Sequence, residues 1–212
     1  MRIHPKAIEV SKNVLQNLNG RSADGGISLP WLAAMVAAAG DGDHCEIGSL
    51  FGASAIAAAL IKKELGHSGK VICIDPYTPR DTVDMGNIPE GLQEGTAEAL
   101  MANAEAFEVE LELVQKSSQP WPEELADAVF VSAFIDGNHL DDYPWKDFEE
   151  LAKRTTGYIA FDNFEEAYPD VMDAALKAAS GRDWKIYYKN HIFIALRRTL
   201  PSRGEGTPLH VL

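Results

Sequence analysis

Cysteine is scarce here, with two in 212 residues. Cys45 and Cys73 each fall inside a short apolar run, so they read as reduced core residues rather than a disulfide framework. That makes a cytoplasmic protein the expectation. No apolar run approaches the ~20 residues of a membrane span. The opening MRIHPKAIEV has no apolar h-region, so no secretory signal is expected. Positive charge is also short: 19 Lys and Arg face 32 Asp and Glu, for a formal net charge of −13. A surface that tracks phosphates needs the opposite sign, which argues against nucleic acid as a partner; the charge serves solubility. The six histidines are scattered and lack zinc-type spacing. There are no internal repeats and no low-complexity linker.

What is present is a hydrophobic fraction of 46% in a chain long enough for one domain with a sizeable core. Residues 1–40 read as a helical cap. Within it, Ile8, Val14, Leu15 and Leu18 near helical spacing predict an amphipathic helix over the first 18 residues. A glycine-rich loop (19–26) and a second helix (28–40) ending at Gly40 complete it.

Residues 41–198 form the predicted core. Short apolar runs at 44–48, 70–77, 111–116, 129–137 and 157–164 alternate with helical segments near 53–66, 90–107, 121–127, 142–153 and 168–180. Continuous apolar strands separated by helices predict an α/β fold whose mostly parallel sheet has helices on both faces. The last two strand-like runs, within 184–198, are joined at about Lys189–Asn190. So short a connection demands an antiparallel hairpin, giving seven strands in all. The tail, 199–212, is expected to be extended.

The stretch HCEIGSLFG (44–52) places Glu46 beside Gly48 and Gly52, where the first strand turns into a helix. Ligands of open parallel sheets bind beyond the carboxyl ends of the strands. Glycine there allows close backbone approach, and the helix N-terminus attracts an anion. Glu46 would repel a phosphate but suits a ligand carrying both an ammonium and a carboxylate. Asp75, at the end of the second run, is placed to accept ribose hydroxyls. A ligand with an amino acid end, a nucleoside end and no phosphate matches S-adenosylmethionine.

These residues resemble the first motif of class I S-adenosylmethionine-dependent methyltransferases, whose fold is Rossmann-like. The resemblance extends over roughly residues 28–198 and implies that Glu46, Gly48 and Gly52 line the methionine part. It further implies that Ser54 holds the methionine carboxylate, Asp75 the ribose, and Ser118 with Gln119 the adenine. A one-residue shift would give Ser117 the adenine role.

FIDGNH (134–139) and FDNF (161–164) end the fourth and fifth runs. If those strands are neighbours, Asp136, Asp162 and Asn163 converge as hard oxygen donors for Mg²⁺ or a similar divalent cation. The pattern is similar to the metal-dependent O-methyltransferases of the catechol and caffeoyl-CoA type. Where the catechol enzymes carry a lysine base this chain has His139, and Asp-Gly-x-His is similar to the macrocin-type sugar O-methyltransferases. The resemblance implies His139 as base beside Asp136, acting on a small-molecule hydroxyl acceptor. Asp141 and Asp142 read first as an N-cap for the next helix. Among nearby aromatics (Trp31, Tyr77, Tyr143, Trp145, Phe164 and Tyr168), Tyr77 and Phe164 are the favoured pocket walls. The polar 78–91 loop, with Arg80, is a candidate lid or substrate selector.

Two other readings stay open. One is a methyltransferase-like domain that binds cofactor or a partner without turnover. The other is an NAD-binding oxidoreductase, although Gly48 and Gly52 depart from G-x-G-x-x-G. A homodimer that completes the pocket is a further expectation.

Overall fold

The computed structural model describes residues 3–20, 22, 26–78 and 95–199. The strands are β1 (Asp43–Ile47), β2 (Val71–Ile74), β3 (Glu112–Val114), β4 (Phe130–Ile135), β5 (Thr155–Phe161), β6 (Trp184–Lys189) and β7 (Ile194–Arg198). They form one sheet in the order β3-β2-β1-β4-β5-β7-β6. β3 to β5 run parallel, and β7 inserts antiparallel between β5 and β6. The strand order reverses between β1 and β4, which opens a crevice at their carboxyl ends.

Both sheet faces are covered, which is why the parallel strands are largely apolar, with His44 and Glu46 buried in β1 as departures. Helices α1 (Pro5–Asn17), α2 (Leu29–Ala39) and α3 (Ala53–Leu65) bury Val14, Leu32, Met35, Ile56 and Ile61 against one face. Leu100 of α4 (Ala97–Ala106) joins them. Helices α5 (Tyr143–Arg154) and α6 (Pro169–Ser180) pack Phe148, Leu151 and Val171 against the other face, over Phe130, Phe161 and Trp184. Cys45 and Cys73 are free and buried. No helix among the described residues is long and apolar enough to cross a membrane.

Several local expectations change. The helix expected over 121–127 is one 3₁₀ turn, Glu123–Leu125. Pro120 and Pro122 remove the backbone donors that a longer helix would need. Helix α4 begins at Ala97, behind the Thr96 hydroxyl that caps the Ala99 N–H at 3.1 Å. In α1 the core face carries Ala7, Val10, Ser11 and Val14, whereas Ile8 and Leu15 are 39% and 43% exposed. Asp142 occupies the N-cap of α5 but does not cap it; its carboxylate meets Lys146 at 2.8 Å instead. The β6–β7 turn covers residues 190–193, because Asn190 Oδ1 accepts from the Ile192 and Phe193 N–H groups at 2.9 and 2.8 Å. Arg80, most of the 78–91 loop and the tail from 200 onward lie outside the described residues.

Candidate functional site at the carboxyl rim of the sheet

Four consecutive backbone hydrogen bonds draw the strand ends into one rim. Asp75 N–H donates to Val114, Gly48 to Ile74, Asp136 to Ile47 and Asp162 to Ile135, at 3.2, 2.9, 2.9 and 3.1 Å. Each donor is the first residue past its strand. Asp75, Gly48, Asp136 and Asp162 therefore stand side by side, as the neighbouring-strand expectation required.

The β1–α3 turn is a left-handed bend. Gly48, Leu50 and Gly52 have φ of 83°, 49° and 86°. A Cβ on Gly48 would overlap the carbonyl oxygen of Asp136, so this glycine is needed for close approach as well as for its φ. Asp75 holds the bend. One carboxylate oxygen accepts from the Ser49 and Leu50 N–H groups at 2.8 and 3.3 Å, and the other from the Tyr77 N–H at 2.8 Å. The Tyr77 hydroxyl donates to the Leu50 carbonyl at 3.0 Å. Buried Asn103 of α4 donates to the Phe51 carbonyl at 2.9 Å. The acid expected at the ribose is thus also the brace of the turn; a carboxylate has lone pairs for both tasks.

Glu46 lies under this turn and is fully buried. Burial pushes its carboxyl up to about 8; the Ser54 and Ser49 hydroxyls pull it down, and Asp136 and Asp75 push it further up. Among the described residues, neither carboxylate oxygen completes a hydrogen bond of regular geometry. An acid so placed is poorly satisfied until a cationic donor reaches it. Gly52 and Ser54 sit at the N-cap and in the first turn of α3, beside it.

Beyond β4 and β5, Asp136 and His139 approach each other: His139 Nε2 is 3.3 Å from Asp136 Oδ1, without regular hydrogen-bond geometry. Burial lowers the imidazole pKa, opposed by the charges of Asp162 and Asp147. The Tyr168 ring lies 5.0 Å from the His139 ring. Asp162 is buried and Asn163 takes a left-handed φ of 52°. Two carboxylates and an amide are hard donors, suited to a divalent cation. Among the described residues no three His, Cys, Asp or Glu side chains group as a metal cluster.

The third part of the rim contains a residue that sequence reasoning missed. Asp147, on the core stripe of α5 with Pro144, Phe148 and Leu151, is 1% exposed. Its Oδ1 accepts from the Ser118 hydroxyl at 2.7 Å and from Gln119 Nε2 at 2.9 Å. Burial pushes its carboxyl up to about 6, against the pull of Gln119, Ser118 and His139. The visible signal was an acid at i+3 within an apolar helical stripe. The Ser117 hydroxyl accepts from the Gln119 backbone N–H at 3.2 Å, whereas Ser118 is the one that bonds Asp147.

The aromatics divide. Phe164 is 7% exposed and belongs to the core, so it is packing rather than pocket wall. Trp145 packs on Phe148, and Trp31 stacks on Tyr188 with centroids 4.1 Å apart. Tyr143 is exposed; Tyr77 and Tyr168 are the ones beside the rim groups.

A sheet of this order, with a glycine bend after β1 and acids just past β2, β4 and β5, defines a Rossmann-like methyltransferase fold of class I. The family described as Methyltransferase domain matches residues 45–164, more than half of the chain, and the chain belongs to that family. Among solved structures it is similar to an O-methyltransferase from Bacillus cereus bound to SAH: 18% identity, 90% of this chain and 91% of that one covered, TM-score 0.62. The O-methyltransferase TomG of Streptomyces achromogenes, bound to SAM and involved in tomaymycin synthesis, shares 16% identity over 92% and 91% of the chains, TM-score 0.60. The TDP-rhamnose 3'-O-methyltransferase CalS11 of calicheamicin biosynthesis shares 19% identity over 93% and 96%, TM-score 0.54. No curated protein matches the sequence.

Proposed function

We propose that this methyltransferase transfers the methyl group of S-adenosylmethionine to a hydroxyl of a small molecule, assisted by a divalent cation. Glu46 carries the reading: a fully buried carboxylate without a regular hydrogen bond among the described residues, under a glycine bend, matches the ammonium of an amino acid ligand. Gly48 and Gly52 let that ligand approach the backbone, and Ser54 at the start of α3 meets its carboxylate. Asp75 holds the bend and retains lone pairs for ribose hydroxyls. Ser118 and Gln119 face the adenine.

Asp136, Asp162 and Asn163 would hold the cation, and their hard donor set fits it. The bound groups supply an electrophilic sulfonium methyl and a positive charge that acidifies the acceptor hydroxyl. The chain's own part is to align and to move a proton. His139 takes the hydroxyl proton at Nε2, the atom beside Asp136. The rim fixes both loops through backbone bonds, and a fixed site of this kind would hold donor and acceptor for in-line transfer.

Calorimetric titration with S-adenosylhomocysteine, with and without Mg²⁺, tests cofactor and cation together. Methyl transfer from labelled S-adenosylmethionine to catechol-type and sugar hydroxyls then tests the acceptor. Absence of S-adenosylhomocysteine binding, with NADH bound instead, would overturn the reading.

A further inference from the structure

Ser118 and Gln119 are joined to a buried acid that nothing above places in the reaction. Asp147 Oδ1 receives both of them, at 2.7 and 2.9 Å. Its Oδ2 faces the next loop, 3.7 Å from where a Cβ on Gly137 would stand. One carboxylate thus spans the 118–119 turn and the 136–139 loop from inside helix α5.

An ionised carboxylate only accepts hydrogen bonds. The Ser118 hydroxyl must therefore spend its single hydrogen on Asp147, which leaves that oxygen only lone pairs for a ligand. Gln119 must turn its NH₂ inward. One hydrogen goes to Asp147 and the other to the Tyr143 carbonyl at 3.1 Å. Both amide donors are then used, and only Oε1 remains for a ligand. Two polar groups that could donate or accept are both set as acceptors by one acid.

On the reading that this turn meets the purine, we propose that Asp147 is a specificity-determining positioning residue that makes the pocket select a 6-aminopurine over a 6-oxopurine. The 6-amino group of adenine donates two hydrogens to such a pair of acceptors. A 6-oxo group offers only lone pairs and meets them acceptor to acceptor, with no bond formed and its hydration lost. Asp147 touches neither ring; it acts through Ser118 and Gln119.

The test compares binding of S-adenosylhomocysteine and its 6-oxo analogue, S-inosylhomocysteine, by calorimetry on the full chain. The wild type is expected to favour the 6-amino ligand by about tenfold or more. Asp147→Ala removes the one acceptor that both groups share and frees the Ser118 hydroxyl and the Gln119 amide to turn donors toward the ring, so the preference is expected to fall below about threefold. A merely structural role would weaken both ligands equally and leave the ratio unchanged, and that result overturns the inference. Ser118→Ala and Gln119→Ala remove the oriented acceptors at a more accessible position and keep the test decisive if Asp147→Ala does not fold. Each is expected to reduce the preference, and an unchanged ratio in both overturns the inference. Wild type that binds neither ligand overturns the methyltransferase reading, and this inference with it; wild type that binds both equally overturns this inference alone.

Discussion

Gly48 and Asp136 pack backbone against backbone, so that a Cβ on Gly48 would overlap the Asp136 carbonyl oxygen. The cofactor bend and the proposed base loop therefore meet at a point with no room for a side chain. Gly48→Ala combines that overlap with a φ of 83° that alanine rarely adopts. The expected loss is about 3 kcal/mol of stability, or roughly 10 °C in Tm, with weaker S-adenosylhomocysteine binding. Thermal unfolding with and without the ligand measures both. Wild-type Tm and affinity in the variant would show that the bend tolerates a Cβ.

With Glu46 as the proposed partner of the ligand's ammonium, cofactor binding is expected to be a proton-linked event. Its folded pKa is raised from 4.5 to about 8, so the empty site holds a protonated acid at neutral pH. An ammonium ligand requires the carboxylate, so binding at pH 7 is expected to release close to one proton. Affinity then rises by up to roughly tenfold per pH unit from pH 6 towards 8 and levels above. Calorimetry in buffers of different ionisation enthalpy measures the release. Glu46→Gln is expected to bind weakly and without proton release. Because the raised acid destabilises the empty protein as pH climbs from 4.5 to 8, the same variant gains stability over wild type across that window.

The strand-end acids were legible because each ends an apolar run: Asp75, Asp136 and Asp162 need only the rule that parallel strands share a carboxyl edge. The helices were legible as alternation, and the closing hairpin as a connection too short for a crossover. Asp147 was hidden, since its meaning lies in contacts with Ser118 and Gln119, nearly thirty residues upstream. Asp75's second task was hidden likewise, because no local pattern says that the Ser49 and Leu50 N–H groups turn toward it. Spacing marked Ile8 and Leu15 as apolar on α1 but could not tell which stripe faces α2 and α3. The expected helix at 121–127 gave too little weight to Pro122.

His44 sets an acid limit on the fold. It is fully buried, with Nδ1 2.8 Å from the Ser132 hydroxyl and, among the described residues, no partner at Nε2. Burial, helped by the Lys62 charge, lowers its pKa from 6.5 to about 3. The native ring stays neutral while the unfolded ring gains a proton below pH 6.5, so its contribution to stability falls as pH drops from 6.5 towards 3. Between pH 7 and pH 4.5 wild type is expected to lose roughly 3 kcal/mol relative to His44→Gln. Urea unfolding of both proteins at the two pH values gives that difference. A difference independent of pH would mean that His44 does not titrate on unfolding.

Asp162 offers a test of the proposed cation apart from the cofactor. It lies past β5, while Glu46 lies under the bend past β1. Asp162→Ala is expected to bind S-adenosylhomocysteine within about threefold of wild type but to lose methyl transfer by ~10²-fold or more. Mg²⁺ should restore activity to chelator-treated wild type and not to the variant. Transfer that proceeds at full rate in chelator would remove the cation from the reaction.

With His139 as the proposed proton acceptor, its titration would set the acid limb of the pH profile. Burial holds its imidazole below the ordinary 6.5, and the Asp162 and Asp147 charges pull it back only in part. A lowered folded pKa keeps the ring neutral, and so able to accept a proton, at every pH above that value. The turnover rate is accordingly expected to be flat through neutrality and to fall only below pH 6.5, as Nε2 becomes protonated. His139→Gln should lower kcat by ~10²- to 10⁴-fold, erase the acid limb, and leave S-adenosylhomocysteine affinity within about twofold. The split between rate and binding distinguishes a proton acceptor from a packing residue, since loss of the His139–Tyr168 contact alone would disturb stability without removing the limb. An acid limb that survives in His139→Gln would assign the proton transfer to another group, of which Asp136, 3.3 Å away, is the first to substitute.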